Sequence, residues 1–498
     1  MEKRRIIVNI ICSLLLQVVT IVSGFILPKI IISSLGSETN GLVASINQFL
    51  NYVVLLEGGV SGVITASLYQ PLSTNDKKKV SSIIRTTKRF FNQIGIVFVV
   101  YMCVVAFCYP LFAKTSQSYW YVVALTFVLG SNLLVQYFIS LSYRLLLKAD
   151  RKVYVESIVQ LIVVVLNLVL VLITINIYRD ILVVKLISAI VFLIQPIAFA
   201  TYVNKNYHLD RHAPIDNTSI KQRWDGFGQN LAFFIHSNTD IVVLTIFKNL
   251  TSVSVYSIYN MIVMALKNLV ISISSAISPS IGNVLAKGEK DKINEAFELY
   301  EFGLYYVATI MFSCCLVLIL PFVKVYTTNI TDANYLQPVF AVLLVLAEFV
   351  YCIRDPYVAV AYASGKFRET SKYAIIEALI NIVISVILVQ SLGLAGIAIG
   401  TLIAMVYRMI AHVIYLQKNI LFRSLKHFVK KMLVFTFSGS CVVLLARFLK
   451  VDRCINMGQW LVNAVIVGIG SVLVITLISS IFFKSTVKTV SYTHLTLP

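Results

Sequence analysis

Nine ionisable side chains lie well inside long apolar runs of this sequence: Lys29, Glu57, Asp240, Lys267, Glu348, Arg354, Asp355, Glu377 and Arg408. Charge at mid-membrane depth costs about 3 kcal/mol or more, so it faces a cavity or a partner. The acids suit proton handling or ion coupling. The cations Lys29, Lys267, Arg354 and Arg408 suit an anionic ligand such as a pyrophosphate, whose spread charge Arg and Lys bind well.

Each position carries its own reading. Glu57 sits in LLEGGVSG, where the glycines allow a bend or close helix packing. A proton site and a structural hydrogen bond both remain open for it. Asp240 lies in HSNTDIVVL, with His236 one turn earlier on the same face and Asn238 adding polarity. A proton-handling or substrate-facing role and a structural polar cluster are both open there. Lys267 is expected to pair with Asp240 if their helices adjoin. Arg354 and Asp355 are sequence neighbours and point to different faces, whereas Glu348 and Asp355 share one. Arg408 lies too deep in its run to snorkel. Lys29, just after Pro28, either faces a lumen or snorkels, and Lys185 and Lys324 lie near enough to an outer end to snorkel.

No motif for covalent, metal or nucleotide chemistry stands out. The eight cysteines, seven of them in apolar runs, show no metal-ligand or CxxC spacing, and the six histidines form no HxxxH or HExxH pair. No catalytic residue, metal or cofactor is expected, and the chain reads as a non-enzyme.

The elements that must hold these charges are membrane helices. The 498 residues are 58% hydrophobic and 13% charged, with mean hydropathy +0.86. The apolar residues come in blocks of about 20, the length of a membrane span. Fourteen candidate helices can be drawn, from 7–33 to 459–483. A formal charge of +20 would suggest nucleic acid on a soluble chain. Here the basic residues cluster at the ends of apolar blocks, and no nucleic-acid partner is expected. With the N-terminal side taken as inside, 30 Lys and Arg fall on inner segments against 6 on outer ones. Both termini are therefore expected in the cytoplasm. MEKRR opens an uncleaved first helix, since its apolar run is long and lacks an A-x-A site. Segments 77–91 and 418–431 read either as basic surfaces on the inner leaflet or as plain topology signals. The tail 491–498, SYTHLTLP, departs from the preceding pattern and reads as non-native.

The layout repeats. Leu35 to Asp76 and Leu250 to Asp291 share one spacing: a turn, an apolar run, then a charged segment. The expected division is 1–204 as a first six-helix bundle, 205–227 as a cytoplasmic linker, 228–417 as a second six-helix bundle, and 418–490 as a further helix pair. The fold class is an all-α polytopic membrane protein of about fourteen transmembrane helices.

Several stretches carry a family resemblance: LPKIIISSLGSETNG at the end of the first helix, LLEGGVSGVITASLYQPL in the second, NTDIVVL before a VSVYSIYN turn, and a helix pair after twelve. Together these resemble the Wzx-type polysaccharide-unit flippases of the multidrug/oligosaccharidyl-lipid/polysaccharide (MOP) exporter superfamily. The resemblance implies a MATE/MOP-like fold with a V-shaped, cationic cavity between helices 1–6 and 7–12. It implies flipping of an undecaprenyl-pyrophosphate-linked oligosaccharide to the outer leaflet of the bacterial cytoplasmic membrane by alternating access. The product would be O-antigen lipopolysaccharide, capsule or exopolysaccharide. Partners would be the polyprenyl-pyrophosphate-linked oligosaccharide, membrane lipids and polysaccharide polymerase machinery. By location, Lys29, Lys267, Arg354 and Arg408 would bind substrate. Glu57 and Asp240, with Glu348 and Asp355, would serve as ion-coupling or structural acids. The alternatives are a lipid II flippase, a MATE-type drug or cation antiporter and, further off, a membrane polymerase or ligase. The last generally needs a large outward loop that this sequence lacks.

Overall fold

The computed structural model describes residues 2–57, 59–210, 212–216, 227–287, 290–451, 454–484 and 486. The tail 491–498, much of the 205–227 linker and the His236 side chain lie outside the described residues. Among those described, the chain is helical throughout, without a strand. The elements in order are α1 Glu2–Leu35, α2 Ser37–Asn51, α3 Val60–Ser73, α4 Lys77–Phe112, α5 Tyr119–Val135 and α6 Leu141–Ala149. Next come α7 Val153–Tyr178, α8 Ile181–Phe192, α9 Ile194–Asn206, α10 Phe227–Phe247, α11 Leu250–Lys287 and α12 Lys290–Tyr326. The last five are α13 Pro338–Ala363, α14 Phe367–Leu392, α15 Leu394–Leu416, α16 Lys426–Phe448 and α17 Met457–Phe482.

Among the described residues, eleven helical segments are long and apolar enough to cross a membrane, or up to twelve if the bent pair α2–α3 is one span. Two of the fourteen expected spans fall outside that count. In α10 the apolar stretch Asn238–Phe247 is too short to be counted, and α13 carries Glu348, Arg354 and Asp355. The α2–α3 bend, 46°, falls at the LLEGG stretch. A 3₁₀ turn, Tyr52–Glu57, ends α2, and Gly59 takes φ 82, a left-handed conformation that glycine adopts without penalty.

The chain forms two compact units, one of residues 1–234 and 244–254, the other of 235–243 and 255–498. In the first unit Leu42, Ile46, Leu50, Ile64, Leu68 and Phe98 form a fully buried core. Ile10, Leu14, Val18 and Val22 of α1 stand exposed as an apolar face. In a bilayer such cores are held by close packing rather than by escape from water.

Residues 77–91 form no separate surface helix. They are the first turns of α4, a continuous helix of 36 residues, about 54 Å long at 1.5 Å per residue. Asp76 caps it by accepting from Lys79 N at 3.0 Å. Val80, Ile83, Ile84 and Phe91 are buried on one side. Neighbouring polar side chains hold the strap after α9: Ser82 Oγ donates to Pro214 O and Arg85 Nη1 to Ala213 O, each at 2.5 Å. The amides of Asp210 and Asp216 donate to Ser81 Oγ at 3.0 Å and Thr86 Oγ1 at 2.9 Å. This face is occupied by protein, which is why the segment does not lie flat on lipid.

In the second unit, α14 and α15 form a tight hairpin turned by Gly393. A Cβ at Gly400 would lie 2.4 Å from Ser385 Oγ, and one at Gly396 would lie 2.4 Å from Leu388 O. The small residues of LGLAGIAIG thus let two helices touch along their backbones. Helices α16 and α17 pack on α12, where Trp460 Nε1 donates to Leu318 O at 3.1 Å.

Candidate functional site

Six of the eight proposed site residues lie in the second unit. The α14–α15 hairpin supplies the centre. On α14, Glu377 and Asn381 are one turn apart and fully buried. On α15, Thr401 and Arg408 are two turns apart and also buried. Helical spacing puts each pair on one face, and the glycine contact brings the two faces together.

Glu377 bridges two arginines. Its Oε1 accepts from Arg354 Nη1 of α13 at 2.9 Å, and its Oε2 accepts from Arg408 Nη1. The Nε atoms of Arg354 and Arg408 are buried with no hydrogen-bond acceptor among the described residues. Lys267 of α11 lies 2.9 Å from Glu348 Oε2 of α13. The Tyr351 ring takes both cations, with Lys267 Nζ 3.8 Å and Arg354 Cζ 4.5 Å from its centroid. Asp355 accepts from Ser274 Oγ of α11, which also lies 2.6 Å from Tyr300 OH. Three cations and three acids (Glu348, Asp355 and Glu377) therefore gather here, and each of these three cations is held by a carboxylate.

Asp240 belongs to a separate cluster. It accepts from Tyr256 OH at 2.9 Å and from Thr401 Oγ1 at 3.2 Å. Asn381 Nδ2 donates to Thr401 Oγ1 at 3.0 Å, while its Oδ1 is buried with no donor among the described residues. The expected Lys267–Asp240 pair does not form. Tyr256 stands at the level of Asp240, and Lys267 lies eleven residues further along α11, about 16 Å by helical rise. Glu348 is the acid at that depth.

The other two predicted residues lie in the first unit. Lys29 is exposed on α1. Glu57 Oε1 accepts from Tyr137 OH at 2.8 Å. Tyr137 lies in a π-helical turn, Gln136–Ser140, between α5 and α6, a local irregularity found often at functional positions. Nearby, Arg144 pairs with Glu156 at 2.5 Å. Outside the spans, Tyr207 lies over Lys152 and donates to Asp150. Burial, then the Asp150 carboxylate, pushes its phenol well above the ordinary range.

A search for intramembrane charge passes over Asn381, Thr401, Tyr256 and Ser274, because they are neutral. Two signals mark them. Asn381 follows Glu377 by one turn, and Thr401 precedes Arg408 by two turns directly after the Gly396–Gly400 pair.

No protein-family profile matches the chain, and no curated protein sequence matches it. Solved structures do. The chain is similar to the lipid II flippase MurJ in an inward closed conformation, with TM-score 0.71 and 15% identity over 97% of this chain and 100% of that one. It is similar to an inward-facing multidrug resistance MATE family transporter of the MOP superfamily, with TM-score 0.63 and 14% identity over 83% of this chain and 99% of the other. The Vibrio cholerae MATE transporter VcmN follows with TM-score 0.57 and 14% identity over 84% and 98%. The fold is the one that these MurJ and MATE structures share, and its many long apolar helices make the chain a multi-pass membrane protein.

Proposed function

We propose that this chain is a MOP-superfamily transporter, not an enzyme, and that it flips a polyprenyl-pyrophosphate-linked oligosaccharide from the inner to the outer leaflet for surface polysaccharide synthesis. The observation that carries this reading is coverage. The likeness to a lipid-substrate flippase runs over 97% of this chain, against 83% for the MATE transporter. Buried arginines and a lysine beside an aromatic ring supply the chemistry for a pyrophosphate, given acids that can release them. Asp240, Asn381, Thr401 and Tyr256 form an oxygen-rich buried cluster suited to a proton or a sodium ion that couples transport to a gradient. The cytoplasmic membrane is the expected location, with both termini inside. Reporter fusions after Lys372 and Lys431 should read cytoplasmic and one after Asp332 external; the reverse pattern would overturn that orientation.

The second reading is a lipid II flippase, favoured by the same full-length likeness. Lipid extracts of strains with and without the gene, compared by mass spectrometry, separate the two. Accumulation of one undecaprenyl-pyrophosphate glycan other than lipid II supports the first reading. Accumulation of lipid II supports the second. No accumulation, with a gain in sensitivity to cationic drugs, would point to an antiporter and sink both.

A further inference from the structure

The acids of the charged core in the second unit are not held alike. Both oxygens of Glu377 are taken by arginines, and Glu348 is taken by Lys267. Arg and Lys donate and do not accept, so a proton on either acid would strand a buried cation. Asp355 differs. The hydrogen bond shown for it comes from a hydroxyl, Ser274 Oγ of α11, and Ser274 Oγ lies 2.6 Å from Tyr300 OH of α12. A hydroxyl both donates and accepts, so this chain of groups fits either state of the acid. With Asp355 ionised, Tyr300 donates to Ser274 and Ser274 to the carboxylate. With Asp355 protonated, the same bonds run the other way.

The position of Asp355 makes that proton decide the charge of the core. Lys267, Arg354 and Arg408 bring three positive charges against the two negative charges of Glu348 and Glu377. The fields of Arg354, Arg408 and Lys267 all reach Asp355. Ionised, Asp355 makes the core formally neutral; protonated, it leaves one positive charge. The Nε–H groups of Arg354 and Arg408, with no acceptor among the described residues, are ready donors to an incoming anion. Lys267, Glu348, Arg354, Glu377 and Arg408 are buried, whereas Asp355 is partly exposed, at the edge that a proton from water reaches. The other titratable groups in its field are Tyr351 and Cys352 of its own helix and Tyr300 of α12. Glu301 of α12 is turned to Lys431 and Arg423. On α15, His412 Nδ1 lies 3.0 Å from Arg408 O, which ties that ring to its own backbone.

We propose that anion binding in this core takes up one proton, and that Asp355 receives it from water on its carboxylate. Release of the anion returns the proton to water. The proposal rests on the core being an anion site and adds the group that sets its charge. Asp240, held in its own cluster by Tyr256 and Thr401, takes no part.

The test is isothermal titration calorimetry of the full-length protein in detergent. The probe is farnesyl-pyrophosphoryl-N-acetylglucosamine, whose phosphates are both diesters and stay ionised near neutral pH. Heats in buffers of different ionisation enthalpy count the protons, from about pH 6 to about pH 9, the span of buried carboxyl groups. On the alkaline side the wild type should take up about one proton per probe, and its Kd should rise about tenfold per pH unit. Asp355→Asn should take up none and bind with a Kd independent of pH, while Asp355→Glu keeps the uptake. His412→Gln should leave the uptake unchanged, and Arg408→Gln should weaken binding at every pH. Thermal melting reports folding, and if Asp355→Asn does not fold, a displaced pH midpoint in Asp355→Glu takes its place. Binding without uptake, or uptake that persists in Asp355→Asn or keeps its midpoint in Asp355→Glu, would overturn the proposal and leave the anion site standing. No binding, or binding that Arg408→Gln does not weaken, would sink the anion site and the proposal with it.

Discussion

Lys267 Nζ and Glu348 Oε2 face each other at 2.9 Å, with both side chains more than nine-tenths buried. Removing one partner leaves the other charge buried and uncompensated, at a cost of about 3–5 kcal/mol. Glu348→Gln should therefore lower the apparent Tm of the detergent-solubilised protein markedly. Adding Lys267→Met should recover most of that loss, since neither charge then remains. If Lys267 serves anion binding, export should stay lost in the stable double variant. An unchanged Tm in Glu348→Gln would mean that the pair does not stabilise the fold.

Glu377 has a different standing, because one carboxylate serves two arginines. Glu377→Gln strands both Arg354 and Arg408, whereas Arg354→Gln or Arg408→Gln leaves one ion pair intact. The loss of Tm should follow that order, with Glu377→Gln the most severe by about 2 kcal/mol or more. The two arginine variants should also lower export at matched expression. Equal Tm losses in all three would show that the bridge is not shared in solution.

Much of the fold was legible from residue order. Apolar blocks of span length, basic block ends and small residues in LGLAGIAIG each act locally, through burial, topology and backbone approach. The site was legible only as a set of charges. Depth in the apolar runs alone matches Lys267 to Asp240. Depth along α11, however, is set by where Tyr256 meets α10, and that register is a property of packing. Glu377 was visible as a buried acid, but its bridging of α13 and α15 depends on the α14–α15 hairpin closing to backbone contact. Neutral groups such as Asn381 carry no signal in a search for charge.

Asp240 and Glu57 separate as coupling groups by their surroundings. Asp240 shares its cluster with Thr401 and with Asn381, whose Oδ1 has no donor among the described residues, whereas the hydrogen bond shown for Glu57 comes from Tyr137 alone. Asp240→Asn should abolish the dependence of transport on a proton or sodium gradient, while Glu57→Gln should retain it. Thr401→Ala, which removes one oxygen worth about 1 kcal/mol, should raise the ion concentration for half-maximal transport about fivefold. Transport assays in proteoliposomes with imposed gradients measure all three. Full gradient dependence in Asp240→Asn would remove this cluster from coupling.

The buried acid Glu301 of α12 anchors the helix pair at the start of α16. It accepts from Lys431 Nζ at 2.6 Å and Arg423 Nη2 at 2.8 Å, and from Tyr357 OH. Glu298 adds contacts to the same two cations, at 3.0 Å to Lys431 and 3.2 Å to Arg423. Phe422, just before Arg423, takes φ 50, a conformation that a bulky residue holds only when its surroundings enforce it. The network thus fixes both the turn at Phe422 and α16, which follows it. A reporter already exists across α12 and α17, where Cys314 Sγ lies 3.1 Å from Ser471 Oγ. With Ser471→Cys and the other seven cysteines replaced, a membrane-permeant oxidant should cross-link the two thiols rapidly. Glu301→Gln should slow that reaction, because Lys431 and Arg423 lose their shared anchor and α16–α17 loosens from α12. Lys431→Arg, which keeps the charge, should leave the rate near that of the parent. An unchanged cross-linking rate in Glu301→Gln would show that apolar packing, through Leu318, Ala446 and Val467, is enough to hold the pair.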